Sequence, residues 1–244
     1  MPERPRPANA LPQASQRPSE PDPEWVAELT GMTLEKAGAA IQEAKDDRGL
    51  AGAIQTSHRS AGRDYYAQIR APFELYALVR LMRPQHVVEV GVSSGVSSAY
   101  LLRAIKKNEM GKLHSIDLPK VQRHQVFAEG EDSPVALPVG KGSGWAVPPG
   151  LRAGWDLRIG PSEQVLPMVA SELQRIDLFL HDSLHTFEHA TFEFQTVDPK
   201  VPSGGVVLAD NTDWLGGALD QYAVSKGTRA IYRKGIDLGG VRKP

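Results

Sequence analysis

The chain has 244 residues, 41% of them hydrophobic and 23% charged, with a formal net charge of -1 and no cysteine. That balance is close to the globular average and gives no electrostatic case for a nucleic-acid or membrane partner, while the missing cysteines exclude disulfides, thiolate metal sites and cysteine nucleophiles. No apolar run approaches a bilayer span and the amino terminus has no hydrophobic signal core, so a cytoplasmic protein built on one decorated domain is expected.

Residues 1–23 hold seven prolines and no apolar periodicity, and they read as a disordered tail that cannot offset its ordering entropy by burial. Helical patterns follow at 24–29 and 33–45, the second opening on Thr33 as an N-cap with Glu35 in its first turn. Residues 24–70 together read as an amino-terminal helical cap, which either closes over a ligand crevice or serves packing or dimerisation. A helix at 70–82 carries Pro72 near its start, buries Phe73, Tyr76, Ala77 and Val79, and stops at Arg83-Pro84.

From residue 71 the elements alternate: strand 86–90, helix 95–107, strands 112–117 and 155–159, helix 162–173, strand 176–181, helix 186–195, strand 205–209. Strands alternating with helices predict a doubly wound, Rossmann-like α/β sheet, mostly parallel, and a terminal hairpin at 229–233 and 239–243 adds an antiparallel edge to make seven strands. The domain at 71–244 is interrupted at 119–154 by an irregular insertion rich in Gly and Pro, with Trp145 in its middle, read as a lid or substrate-side loop.

The chain is organised around residues 87–98, Val-Val-Glu-Val-Gly-Val-Ser-Ser-Gly-Val-Ser-Ser. A buried β-branched run meets a turn with Gly91 and Gly95 and then a helical pattern, so strand, tight turn and helix succeed one another. In an open α/β sheet the crevice at such a turn holds an adenosine-bearing ligand, and a Cβ at Gly91 is expected to intrude on it. The dinucleotide fingerprint packs three glycines round a pyrophosphate. Here a single tight turn with Glu89 before it suits a cationic ligand without phosphates, such as S-adenosylmethionine (SAM), against Glu89, Gly91, Val92, Ser93, Gly95 and Ser97.

Each strand ends in a polar residue where it should meet that crevice. Asp117, followed by Leu118, is placed to accept both hydroxyl protons of a ribose, with Gly160 and Ser162 near the adenine. Asp182, Asp210 and Asn211 offer two carboxylates and an amide oxygen at adjacent strand ends, a donor set that suits Mg²⁺ or Mn²⁺ acting as a Lewis acid on a substrate hydroxyl. His185 lies three residues past Asp182 and has the near-neutral pKa of a general base. Against this, Asp182 also reads as an N-cap of the next helix or as a contact to SAM, His181 as a satisfied packing histidine, and His189 as a solvated or locally bonded side chain.

Residues 87–98, His114 to Asp117, Gly160-Pro161-Ser162, 176–185 and 204–214 together resemble the class I SAM-dependent methyltransferases. Asp182 followed by Gly205 to Trp214 is similar to the metal-dependent O-methyltransferases of the catechol and caffeoyl-CoA type, and implies that Asp182, Asp210 and Asn211 hold a divalent cation. Where catechol enzymes carry a lysine base this chain has His185, and Asp-Ser-Leu-His resembles the macrolide-sugar O-methyltransferases. The resemblance covers residues from about Ser60 onward. The expectation is methyl transfer from SAM to a hydroxyl of a small molecule, with His185 and Asp182 catalytic, and with a homodimer as the commonest oligomer. The alternatives are a metal-independent methyltransferase acting on another nucleophile, a SAM-binding module without activity, and an NAD-dependent oxidoreductase.

Overall fold

The structure is a computed structural model that describes residues 20–62, 69–118, 137–138 and 140–244. The proline-rich tail and most of the irregular insertion lie outside the described residues.

The chain enters through α1 (Pro23–Thr30), α2 (Leu34–Asp46), α3 (Arg48–Ser60) and α4 (Pro72–Met82). Short polar side chains start the first three: Asp22 accepts from the Trp25 amide, Thr33 from that of Lys36 and Asp47 from that of Leu50. Each satisfies one of the amides that the first helical turn leaves unpaired. Pro72 supplies the first position of α4, and Arg83 ends that helix in a left-handed conformation. Helix α3 was not expected, because Gly49 and Gly52 lower its helix propensity, although Leu50, Ile54 and His58 recur at helical spacing and are buried.

The remaining elements are β1 (His86–Val90), α5 (Val96–Asn108), β2 (Lys112–Asp117), β3 (Trp155–Ile159), α6 (Ser162–Glu172), β4 (Leu178–His181), α7 (Phe187–Val197), β5 (Val206–Asp210), α8 (Ala218–Ser225), β6 (Ile231–Tyr232) and β7 (Leu238–Arg242). The seven strands lie in the order β3-β2-β1-β4-β5-β7-β6. The first five are mutually parallel and β7 runs antiparallel to β5 and β6, as the terminal hairpin predicts. The order reverses between β1 and β4, and such a switch point leaves a crevice at the strands' carboxyl ends.

Both faces of the sheet are covered, which explains why the central strands β1, β4 and β5 read as near-continuous apolar runs. Val87, Leu113, Leu178, Leu180, Val206 and Leu208 face one core with α1, α2, α4 and α5, while Val88, Val90, Ile116, Phe179, Val207 and Ala209 face the other with α6, α7 and α8. Leu29 of α1 fits against Gly240 of β7, and Trp25 donates its indole N–H to the Ile231 carbonyl at 2.9 Å. Glu74 and Arg233, both buried, pair at 3.0 Å and tie α4 to the strand hairpin. The amino-terminal helices α1, α2 and α4 therefore share the sheet's own core. No helix among the described residues is long and apolar enough to cross a membrane.

Candidate active site

The crevice is built by four strand ends drawn together by parallel pairing. The Gly91 amide donates to the Ile116 carbonyl at 2.9 Å and the Asp182 amide to the Val90 carbonyl at 2.8 Å, so the glycine turn, β2 and the start of the β4–α7 loop meet at one point. Gly91 has a φ of +93°, and a Cβ there would overlap the main-chain carbonyl of Asp182. A residue without a Cβ is thus required here by the neighbouring strand end itself. Gly95, at φ +90°, is hemmed in by Gly144 and Val147, each 2.7 Å from the position of a Cβ.

That contact also corrects the reading of the insertion as a lid over its described part. The Gly144 amide donates to the Ser93 carbonyl at 2.8 Å and the Ala146 amide to the Ser94 carbonyl at 3.0 Å. Arg152 donates to the Gly144 and Val147 carbonyls at 3.1 Å. Residues 143–147 are thus fastened to the glycine turn as a wall of the crevice. From the other side α3 brings His58, whose Nε2 lies 3.3 Å from the Ser94 hydroxyl.

Glu89 is fully buried beneath the turn, and the hydroxyls of Ser97, Ser98 and Ser115 donate to its two oxygens at 2.5, 2.6 and 2.7 Å. Burial pushes its carboxyl up, and these three donors oppose the shift. Its oxygens being taken, Glu89 braces the turn from inside together with Ser97. Asp117 accepts from the Val92 amide at 3.0 Å and from the Ser143 hydroxyl. Leu118 follows it, 63% exposed at the mouth of the crevice. Gly160 is fastened to the Asp117 carbonyl at 3.0 Å, whereas the Ser162 hydroxyl turns into the protein, 2.9 Å from His189 Nε2.

On the other side of Gly91 lie Asp182, His185 and Asp210. The helix after β4 begins at Phe187 and is capped by Thr186, whose hydroxyl accepts from the His189 amide at 3.2 Å, so Asp182 is not an N-cap. Burial, with Glu89 and Asp117 nearby, raises the Asp182 carboxyl well above its ordinary range. Burial and the charge of Asp182 push Asp210 up to about 8. Arg70, the cation that acts on Asp210, is already paired with Asp237 at 3.2 Å. Asn211 follows in a left-handed conformation, φ +52°. His185 places Nε2 3.6 Å from Asp182, and burial lowers its pKa, so the ring is neutral and free to accept a proton. Trp214 stands edge-on to that ring at 6.1 Å.

Sequence reasoning missed Ser98, Ser115, Ser143, Trp214 and Glu193. Only Ser98, next to the glycine turn, carried a local signal, since the others reach the site through tertiary contacts.

A sheet in this order, with a glycine turn at its switch point and carboxylates round the crevice, defines the class I methyltransferases that use SAM. Residues 88–212 match a family model described as a methyltransferase domain, just over half of the chain, and the chain belongs to that family. Among solved structures it is similar to the O-methyltransferase NovP, with a TM-score of 0.56 and 15% identity over 80% of this chain and 97% of that one. TomG, a tomaymycin-synthesis O-methyltransferase from Streptomyces achromogenes solved with SAM, gives 0.54 and 21% over 82% and 91%. The SAH-bound methyltransferase PaMTH1 from Podospora anserina gives 0.55 and 14% over 80% and 87%. At such identities the likeness establishes the fold. No curated protein matches the sequence.

Proposed function

We propose that this methyltransferase acts on a hydroxyl of a small molecule, with His185 as general base and a divalent cation held by Asp182, Asp210 and Asn211. One observation carries the reading: two electrostatically coupled carboxylates and a neutral histidine share the acceptor end of the crevice, and the described residues provide no free cation to balance them. Left alone, such carboxylates repel and take up protons.

The donor set fits a hard cation. Among the described residues no three His, Asp or Glu side chains converge on a metal position, so Asn211, solvent and the acceptor would supply the remaining oxygens, the habit of Mg²⁺. A bound cation would supply Lewis-acid polarisation of the acceptor hydroxyl. SAM would supply the methyl group, leaving its electron pair on sulfur while the acceptor oxygen forms the new bond. His185 takes the hydroxyl proton, and its burial keeps it unprotonated until then. Asp117, whose oxygens each accept one bond from the Val92 amide and the Ser143 hydroxyl, would hold the ribose through its remaining lone pairs, and the wall at 143–147 with the glycine turn would fix the donor against the acceptor. Trp214 and Phe187, exposed beside His185, give the acceptor an apolar surface to lie on. The O-methyltransferases NovP and TomG, similar in fold, support a hydroxyl over other nucleophiles.

The test is methyl-labelled SAM with a panel of phenols, catechols and sugar hydroxyls, scored by mass. EDTA abolishes transfer, Mg²⁺ or Mn²⁺ restores it, Asp210→Ala mimics the chelator, and SAM binding survives all three. Full activity after exhaustive chelation removes the cation and leaves a histidine-driven enzyme.

A further inference from the structure

Behind His185 lies a buried polar network that the transfer just described does not use. Glu193, on α7, is 0% exposed. Its Oε2 lies 2.7 Å from His181 Nδ1, and its Oε1 accepts from the Ser183 hydroxyl and from His189 Nε2, both at 2.9 Å. His189 also meets Glu163 through Nδ1 at 3.3 Å, so this imidazole faces carboxylates at both nitrogens and balances the buried charge as a cation.

The chemistry of Glu193 dictates the state of His181. An ionised carboxylate only accepts hydrogen bonds, so Nδ1 of the neutral His181 ring must carry the proton and Nε2 is a bare lone pair. That Nε2 is buried and has no hydrogen-bond partner among the described residues. Unpaired buried acceptors are rare because they destabilise the fold, and one beside a candidate active site calls for a donor that arrives during turnover. The His185 ring stands 5.6 Å away, centroid to centroid and nearly perpendicular, and its Nε2 is likewise buried without a hydrogen-bond partner, the Asp182 carboxyl lying 3.6 Å from it. Once His185 has taken the acceptor's proton, both of its nitrogens are donors.

We propose that Glu193 is a positioning residue for methyl transfer: by fixing His181 in the Nδ1–H tautomer it keeps a bare acceptor beside His185, which orients that base and stabilises its cation. The abstracted proton stays on His185, and His181 only accepts a hydrogen bond. The proposal rests on the reading of His185 as the base. It extends to this pair the arrangement in which a group behind the base holds the ring that does the chemistry.

The experiment compares Glu193→Gln and Glu193→Asp in the full chain. Gln keeps the shape, but its amide donates to His181 Nδ1 and drives the ring proton to Nε2. Long-range ¹⁵N–¹H spectra then show His181 as Nδ1–H in the wild type and Nε2–H in Glu193→Gln, a readout that needs no acceptor. With the panel acceptor of highest rate, kcat of Glu193→Gln falls roughly 10- to 100-fold, the range seen when the group behind a functional imidazole is removed. KM for that acceptor and Kd for SAM stay unchanged. Glu193→Asp, still an acceptor only, recovers most of the rate, and Glu193→Gln loses its effect in a His185→Ala background. An Nε2–H tautomer in the wild type overturns the proposal. So does an unchanged kcat in Glu193→Gln, or equal losses in both variants that follow their melting temperatures. If His185→Ala itself turns over normally, the base reading fails first and the proposal falls with it. If His185→Ala is impaired while Glu193→Gln is not, only the proposal fails.

Discussion

The two halves of the crevice are built on opposite electrostatic plans. In the donor half, between β1 and β2, every carboxylate oxygen already has a partner: Glu89 holds three serine hydroxyls, and Asp117 holds the Val92 amide and the Ser143 hydroxyl. In the acceptor half, between β4 and β5, burial pushes up the carboxyls of Asp182, with Glu89 and Asp117 adding to it, and of Asp210, with Asp182 adding to it, and His181 and His185 each keep a buried nitrogen without a hydrogen-bond partner. A satisfied network is rigid and costs nothing to reorganise, so the donor half is shaped before any ligand arrives. The acceptor half is complete only when charge and hydrogen-bond donors come from outside. On the function proposed above, the satisfied half would seat the cofactor and the other half would carry the reaction.

Breaking the acceptor half is expected to have the largest effect and to leave the donor half intact. His185→Ala lowers turnover by roughly 100- to 10,000-fold, as loss of a general base does, while SAM affinity measured by calorimetry stays close to the wild-type value. Equal turnover near neutrality makes His185 structural. Gly91→Ala tests the joint between the halves. Its left-handed backbone alone costs a non-glycine residue about 1–2 kcal/mol, and overlap with the Asp182 carbonyl adds to that. Denaturant midpoints fall accordingly, and both SAM binding and turnover suffer. A variant of wild-type stability shows that the β4 end can move aside.

The donor half is probed by Asp117→Ala, which weakens SAM by on the order of 1.5–3 kcal/mol through loss of a charged acceptor. Unchanged affinity removes the ribose assignment without touching the acceptor half. The smallest effect is on acid stability. Burial opposes the charge of Glu193, but hydrogen bonds from His181 and His189 outweigh it and hold the carboxyl down to about 2. A folded value below the ordinary 4.5 means that its contribution to stability is in place above that range and is lost as pH falls toward 2. His189 is raised by Glu193, so its own contribution is present below its ordinary 6.5 and fades as pH rises through the folded value. Melting temperatures between pH 5 and pH 2 therefore drop more steeply in the wild type than in Glu193→Gln. Parallel curves show that Glu193 is not held ionised.

Local periodicity was enough to read the order of strands and helices from residue 71, the antiparallel hairpin, the Thr33 cap and the glycine turn. These are features of near neighbours, set by spacing, turn chemistry and the absence or presence of a Cβ. The clustering of Asp117, Asp182, His185 and Asp210 was legible for a related reason: in a parallel sheet every strand's carboxyl end points to one edge, so polar residues at strand ends must meet. Helix α8 escaped because its apolar and polar residues are the least cleanly segregated of the described α-helices. Pairing across long sequence separations was not legible at all. Nothing near Gly91 says that Asp182 passes over it, nothing near Glu89 predicts Ser115, and nothing near His181 says that a carboxylate on the following helix dictates its tautomer. The sequence by itself determined which groups reach the crevice. Only the tertiary structure decided which of them arrive already satisfied, because a buried hydrogen bond depends on the atom across the gap and not on the residue next in the chain.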